Sequence, residues 1–109
     1  MTVYVIQEVP KFNISGATRY GDIEVILPPG NMYFSTESTV KKAYDKLKDF
    51  KPGDYLLCIG DPIAIAICFA AAASMVEGKI NLLKWDRQNQ IYVPVKIDLL
   101  KCLGERNET

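Results

Sequence analysis

Three consecutive residues, Gly60-Asp61-Pro62, constrain this chain more than any other part of it. Asp before Pro is a strong helix start. The carboxylate accepts a hydrogen bond from an amide of the first turn, and Pro brings a preset φ with no N–H to leave unpaired. Just before it, residues 54–60 read Asp-Tyr-Leu-Leu-Cys-Ile-Gly. Their centre is continuously apolar instead of alternating, the pattern of a central strand covered on both faces. Just after it, residues 63–76 contain no charged side chain at all. Strand, tight turn and helix in direct succession predict a crossover between parallel strands, and so an α/β fold.

The remaining elements follow from periodicity and punctuation. Residues 2–8 are rich in β-branched side chains and read as a strand, and residues 23–27 as a second, closed by Pro28-Pro29-Gly30. Ser35 with Glu37 marks a helix start. Val40, Ala43, Tyr44, Leu47 and Phe50 then form one apolar stripe, until Lys51-Pro52-Gly53 stops the helix. The second helix runs to about Glu77, with Gly78 as its stop. Residues 79–85 and 91–97 are two more strands, joined by a turn through Asp86-Arg87-Gln88-Asn89-Gln90. The order is β-β-α-β-α-β-β. It predicts a small mixed sheet of about five strands carrying two helices, with a hairpin at each end. Residues 1–99 form a single α/β domain, and 100–109 a polar, fraying tail.

With 109 residues, the chain can bury one core without a metal or disulfides. Its 13 basic and 13 acidic residues balance, which argues against nucleic acid as a principal partner. Cys58, Cys68 and Cys102 are odd in number, and the first two sit in apolar runs. They read as free thiols in a reducing compartment. The N-terminus has no basic stretch ahead of an apolar one, and the longest apolar run is too short for a bilayer. These features set a cytoplasmic expectation, with no membrane. There is no histidine, no Cys-x-x-Cys pair and no glycine-rich phosphate loop. No metal, cofactor or catalytic residue is therefore expected.

Four features carry candidate chemistry. At Gly60-Asp61 the end of a central strand meets a helix N-terminus, where α/β sheets often bind ligands; the competing reading is that Asp61 simply caps the helix. The loop 11–22, from Lys11 to Asp22, offers Ser15, Thr18, Arg19 and Asp22, with Arg19 able to grip a carboxylate or phosphate; the competing reading is a long hairpin connection. The charge-free helix predicts an interface through Ile63, Ala66, Ile67, Ala70, Ala73 and Val76, because no single rotation hides every large side chain. Its alternative is an internal helix wrapped by the chain. Finally, Trp85 beside Lys84 and Arg87, facing Tyr92, could stack on a base or peptide, or be a cross-strand packing pair.

Residues 20–29 (Tyr-Gly-Asp-Ile-Glu-Val-Ile-Leu-Pro-Pro), residues 54–62, and Leu82-Leu83-Lys84-Trp85-Asp86-Arg87 running on to Tyr92 together resemble uncharacterised small proteins of tailed bacteriophages. The likeness extends to about Leu99. It implies an infected bacterial cell as the setting and carries over no functional residue. The expectation is a non-enzymatic, homo-oligomeric interaction module acting on a host or phage protein. The alternative is a small nucleotide- or anion-binding domain using Ser15, Thr18, Arg19, Asp22, Gly60 and Asp61.

Overall fold

The computed structural model describes residues 1–9, 13–29 and 36–101. Lys11, Gly30, the Ser35 cap, Cys102 and the tail beyond Lys101 lie outside the described residues. The elements are β1 (Thr2–Gln7), a 3₁₀-helix (Ile14–Tyr20), β2 (Asp22–Leu27), α1 (Thr36–Leu47), β3 (Tyr55–Leu57), α2 (Pro62–Met75), β4 (Lys79–Asp86) and β5 (Ile91–Asp98). They build one five-stranded sheet in the order β2-β1-β3-β4-β5.

β2, β1, β3 and β4 are parallel, and only β5 runs antiparallel, in a hairpin with β4. The expected hairpin at the N-terminal end is therefore corrected. β1 and β2 pair in parallel, Thr2 opposite Asp22 and Gln7 opposite Leu27, and the 3₁₀-helix lies on the path between them. Physically, the connection from Glu8 to Gly21 is long enough for the dozen or so residues a parallel crossover needs.

Alternation along β1 splits the core into two layers. Tyr4 and Ile6 face α1 and α2, joined by Ile26, Leu56 and Ile80. Val3 and Val5 face the opposite way, with Leu57, Leu83, Tyr92 and Ala17 of the 3₁₀-helix. Both α-helices thus cover one face, and the 3₁₀-helix covers part of the other. The step from β1 to β2 goes toward one edge over the second face. The steps from β2 to β3 and β3 to β4 go the other way over the first face. Reversing direction and face together preserves the hand of the crossover.

β3 is shorter than the apolar run 54–60 because the chain bends out of the ladder. The Ile59 N–H turns back to the Leu57 carbonyl at 3.1 Å, while Cys58 still donates to Leu83. Asp54, only 2% exposed, ties the opposite end together. Its two carboxylate oxygens accept the Thr2 and Lys51 amides at 2.9 and 3.1 Å.

The charge-free helix α2 is covered on two sides, by the sheet and by α1. Ala64, Cys68, Ala71, Ala72 and Ala73 are buried. Three consecutive buried positions span most of a helical turn, and only side chains as small as Ala allow packing that close. Two expected interface residues, Ala73 and Val76, are thus placed in the protomer's own core. Ile63, Ala66 and Ala70 are exposed, and Ile67 is half-buried. At the C-terminus, Gly78 donates to the Ala73 carbonyl at 2.9 Å, closing the helix with Glu77 and Gly78 both at positive φ. Residues 99–101 begin a helical turn, in which Asp98 accepts the Lys101 amide.

Candidate functional site

Two of the sequence's candidate features meet in space. The 3₁₀-helix places Ile14, Ala17 and Tyr20, at a spacing of three, onto the second face of the sheet. Asn13 caps it, accepting the Ser15 amide at 3.0 Å and the Ser15 hydroxyl at 2.7 Å. Its end is fixed by Gly21, at φ 150, where an added Cβ would come within 2.6 Å of the Met1 carbonyl oxygen. The segment is bolted to β5 by two phenols. Tyr92 donates to the Asn13 carbonyl at 2.9 Å, and Tyr20 donates to the Tyr92 carbonyl at 3.2 Å. Burial raises the Tyr92 phenol above its ordinary value, so it stays protonated as a donor.

Trp85 and Tyr92 are direct cross-strand partners, with ring centroids 4.8 Å apart and planes tilted by 59°. Between this pair and the 3₁₀-helix lies a pocket of about 320 Å³. Trp85, Tyr92, Ile91 and Gly16 give it apolar walls, and Asn13, Ser15, Arg19 and Gln90 give it polar ones. Among the described residues, Arg19 is the only charged one lining it, its guanidinium carbon 5.5 Å from the Tyr20 ring centroid.

The neighbouring turn is held by Asp86, which accepts from the Asn89 side chain at 2.7 Å and from the Gln88 and Asn89 amides. The Asn89 side-chain contact contributes most to holding the Asp86 carboxyl below its ordinary value. A second groove of about 510 Å³, lined by Lys84, Asp86, Arg87, Val93 and Val95, shares Trp85 with the first pocket.

The six residues proposed for ligand binding are not brought together. Ser15 and Arg19 line the Trp85 pocket. Thr18 is exposed on the same segment and donates to the Ser15 carbonyl at 2.7 Å. Asp22 begins β2, beside Thr2 at the far end of the ladder from Gly60.

Gly60 and Asp61 face a crevice already filled by Gln7, a residue the sequence reading did not single out. Gln7 is 2% exposed. Its Oε1 accepts the Asp61 amide at 2.7 Å, and its Nε2 donates to the Pro28 carbonyl at 2.8 Å. Gly60 has φ +124, and a Cβ there would sit 2.5 Å from Gln7 Cβ. Asp61 in turn caps α2, accepting the Ile63 amide at 2.8 Å. Two of the amides an anion would seek here, those of Asp61 and Ile63, are engaged.

Among the described residues, no three His, Cys, Asp or Glu side chains converge as a metal site would require. No helix there is long and apolar enough to cross a membrane.

The architecture defines a small α/β domain on a mostly parallel sheet, with an open pocket formed by a 3₁₀ crossover and a terminal hairpin. The chain belongs to a phage family: the model of the Phage Pam3 gp32-like protein family matches residues 1–99. No curated protein and no solved structure matches it.

Proposed function

We propose that this phage protein is a non-enzymatic interaction module that self-associates through α2, in the host cytoplasm, to present its surface to a host or phage protein. One observation supports this above the others. After folding, α2 still exposes an uncharged side, with Ile63 49% exposed and Ala66 and Ala70 beside it. A helix on a sheet ordinarily turns a polar stripe to water. Here the positions 63, 66, 67 and 70, at intervals of three and four, are apolar.

A second copy of the chain is the occupant that fits. The stripe bears no charge for a charged partner to complement. Two such stripes are complementary to each other across a twofold axis, and the alanines permit close approach of the two backbones. A 14-residue helix is about 21 Å long, so its face alone falls short of the ~800 Å² per partner of a stable interface. α1 packs beside α2 and exposes Val40 and Tyr44, the apolar side chains on which a larger interface would draw. The expected assembly is a dimer that forms in the micromolar range.

Sedimentation velocity across a concentration series tests this. Wild type should move from monomer to dimer, and Ala66→Glu and Ala70→Glu, at exposed positions, should remain folded monomers. A wild type that stays monomeric at high micromolar concentration overturns the reading.

A further inference from the structure

We propose that the pocket between the 3₁₀-helix and the β4–β5 hairpin binds a nucleoside monophosphate, with the base against Trp85 and the phosphate at Arg19. The pocket's chemistry selects this class. Its aromatic wall offers a face for a flat ring, and stacking of bases on aromatic side chains is favourable for every base. Arg19 supplies one cation, and among the described residues no carboxylate lies within ion-pair distance of it. A single guanidinium matches one phosphate group well.

The polar groups separate a nucleotide from a plain aromatic acid. Asn13 uses its Oδ1 on Ser15, which leaves its Nδ2 as a donor. Gln90 donates its Nε2 to the Arg87 carbonyl at 3.2 Å, which leaves its Oε1 as an acceptor. Both residues line the pocket. A base edge carries donors and acceptors that can use both, whereas a simple aromatic carboxylate has no donor for the Gln90 Oε1.

Size points the same way. A pocket of about 320 Å³ is at the small end of ligand sites, roughly 300–1,000 Å³, with room for one nucleotide. The second groove is larger but shallow in its chemistry for an anion. Its Lys84 and Arg87 share it with the Asp86 carboxylate.

The pocket is also rigid before any ligand arrives. The two phenol hydrogen bonds to and from β5 hold its walls in register, which lowers the ordering cost of binding. A base with a phosphate also occurs at the end of a single strand. The balance of 13 basic and 13 acidic residues favours the free nucleotide, since strand binding draws on many phosphate contacts.

Trp85 is the chain's only tryptophan and borders both this pocket and the second groove, so its fluorescence reports binding and the Arg19 variant assigns it to this pocket. The purified protein is titrated with AMP, GMP, CMP and UMP, with corrections for ligand absorbance, and then with adenosine, inorganic phosphate and a 5′-phosphorylated oligonucleotide. At least one monophosphate should quench saturably, while adenosine binds more weakly and phosphate leaves the fluorescence unchanged. Arg19→Gln, at an exposed side chain, should retain the wild-type circular dichroism and weaken the monophosphate about tenfold or more. No saturable quenching by any monophosphate up to millimolar concentration overturns the proposal, as does an unchanged affinity in folded Arg19→Gln. An oligonucleotide that binds more than tenfold tighter than its terminal nucleotide overturns the choice of the free nucleotide.

Discussion

Replacing Gln7 by Met isolates the hydrogen bonds that hold the carboxyl ends of the strands. Met has nearly the same length and volume, so the change removes polar contacts without opening a cavity. Among the described residues, the Asp61 amide, at 2.7 Å, and the Pro28 carbonyl, at 2.8 Å, lose their bonds. They are not equally costly. The Asp61 amide sits in a half-buried junction against β1, and an unsatisfied buried donor costs ~1–3 kcal/mol. Pro28 is exposed, so its carbonyl can be rehydrated, at a cost of ~0.5 kcal/mol. The expected loss is therefore ~1.5–3.5 kcal/mol, a large share of the ~5–15 kcal/mol that holds a domain together. Urea unfolding followed by circular dichroism reads it directly. At a slope near 1.5 kcal/mol/M, the midpoint should fall by roughly 1–2 M, with the slope unchanged. Gln7→Glu is the companion. Its carboxylate can accept from Asp61, but it cannot donate to Pro28 and is buried with its charge. Burial raises the pKa of such a carboxyl, so this variant should gain stability relative to wild type as the pH falls and the acid becomes a donor. A Gln7→Met midpoint within ~0.5 kcal/mol of wild type, the range of an ordinary surface change, would refute the argument that this side chain clamps the sheet.

Three further outcomes are expected. Asp61→Ala removes the acceptor for the Ile63 amide and should cost ~0.5–2 kcal/mol in the same urea assay, the usual range for a lost cap. Burial pushes the Cys58 thiol up to about 11, and burial together with Cys58 pushes Cys68 up to about 12. Both should label slowly with a thiol reagent until urea unfolds the chain; fast labelling of the native protein at neutral pH contradicts this. Because the unfolded thiols ionise near 9.0, their contribution is complete below that pH and is lost as the pH rises toward 11–12. Glu77, exposed and at φ 55 past the end of α2, occupies a left-handed conformation that costs a residue with a Cβ ~1–2 kcal/mol. Glu77→Gly should therefore raise the melting temperature; a lowered one would show that this strain is absent.

Much of the fold was legible because it is written in local chemistry. Asp61-Pro62 starts α2 where a cap and a first-turn proline should, and Trp85 and Tyr92 pair across β4 and β5 as neighbours of one turn. Strand direction was not legible at the N-terminus. The β-branched pattern of residues 2–8 and 23–27 specifies extended chain but not which way it runs, since parallel and antiparallel ladders use the same side chains. The connection did hold a signal. Ile14, Ala17 and Tyr20 recur every third residue, the period of a 3₁₀-helix, and the structure turns all three inward. Reading those positions as a polar loop concealed a crossover.

The candidate site shows the same limit from another side. Arg19 and Trp85 were each visible as residues able to bind something, yet 66 positions separate them in sequence. What joins them is the Tyr92 hydroxyl on the Asn13 carbonyl, a contact between a strand and a backbone group that no side-chain motif encodes. Gln7 is the converse. Nothing in its own neighbourhood distinguishes it from the other residues of an apolar strand, and only the absence of a side chain at Gly60 makes room for it. A glycine read as a turn residue was in fact a void reserved for a partner 53 positions upstream. The crevice that an open sheet would leave for a ligand is closed from within by that pair. An open pocket among the described residues lies instead where the 3₁₀ crossover passes over the terminal hairpin, built from elements added around the sheet and not from its carboxyl edge.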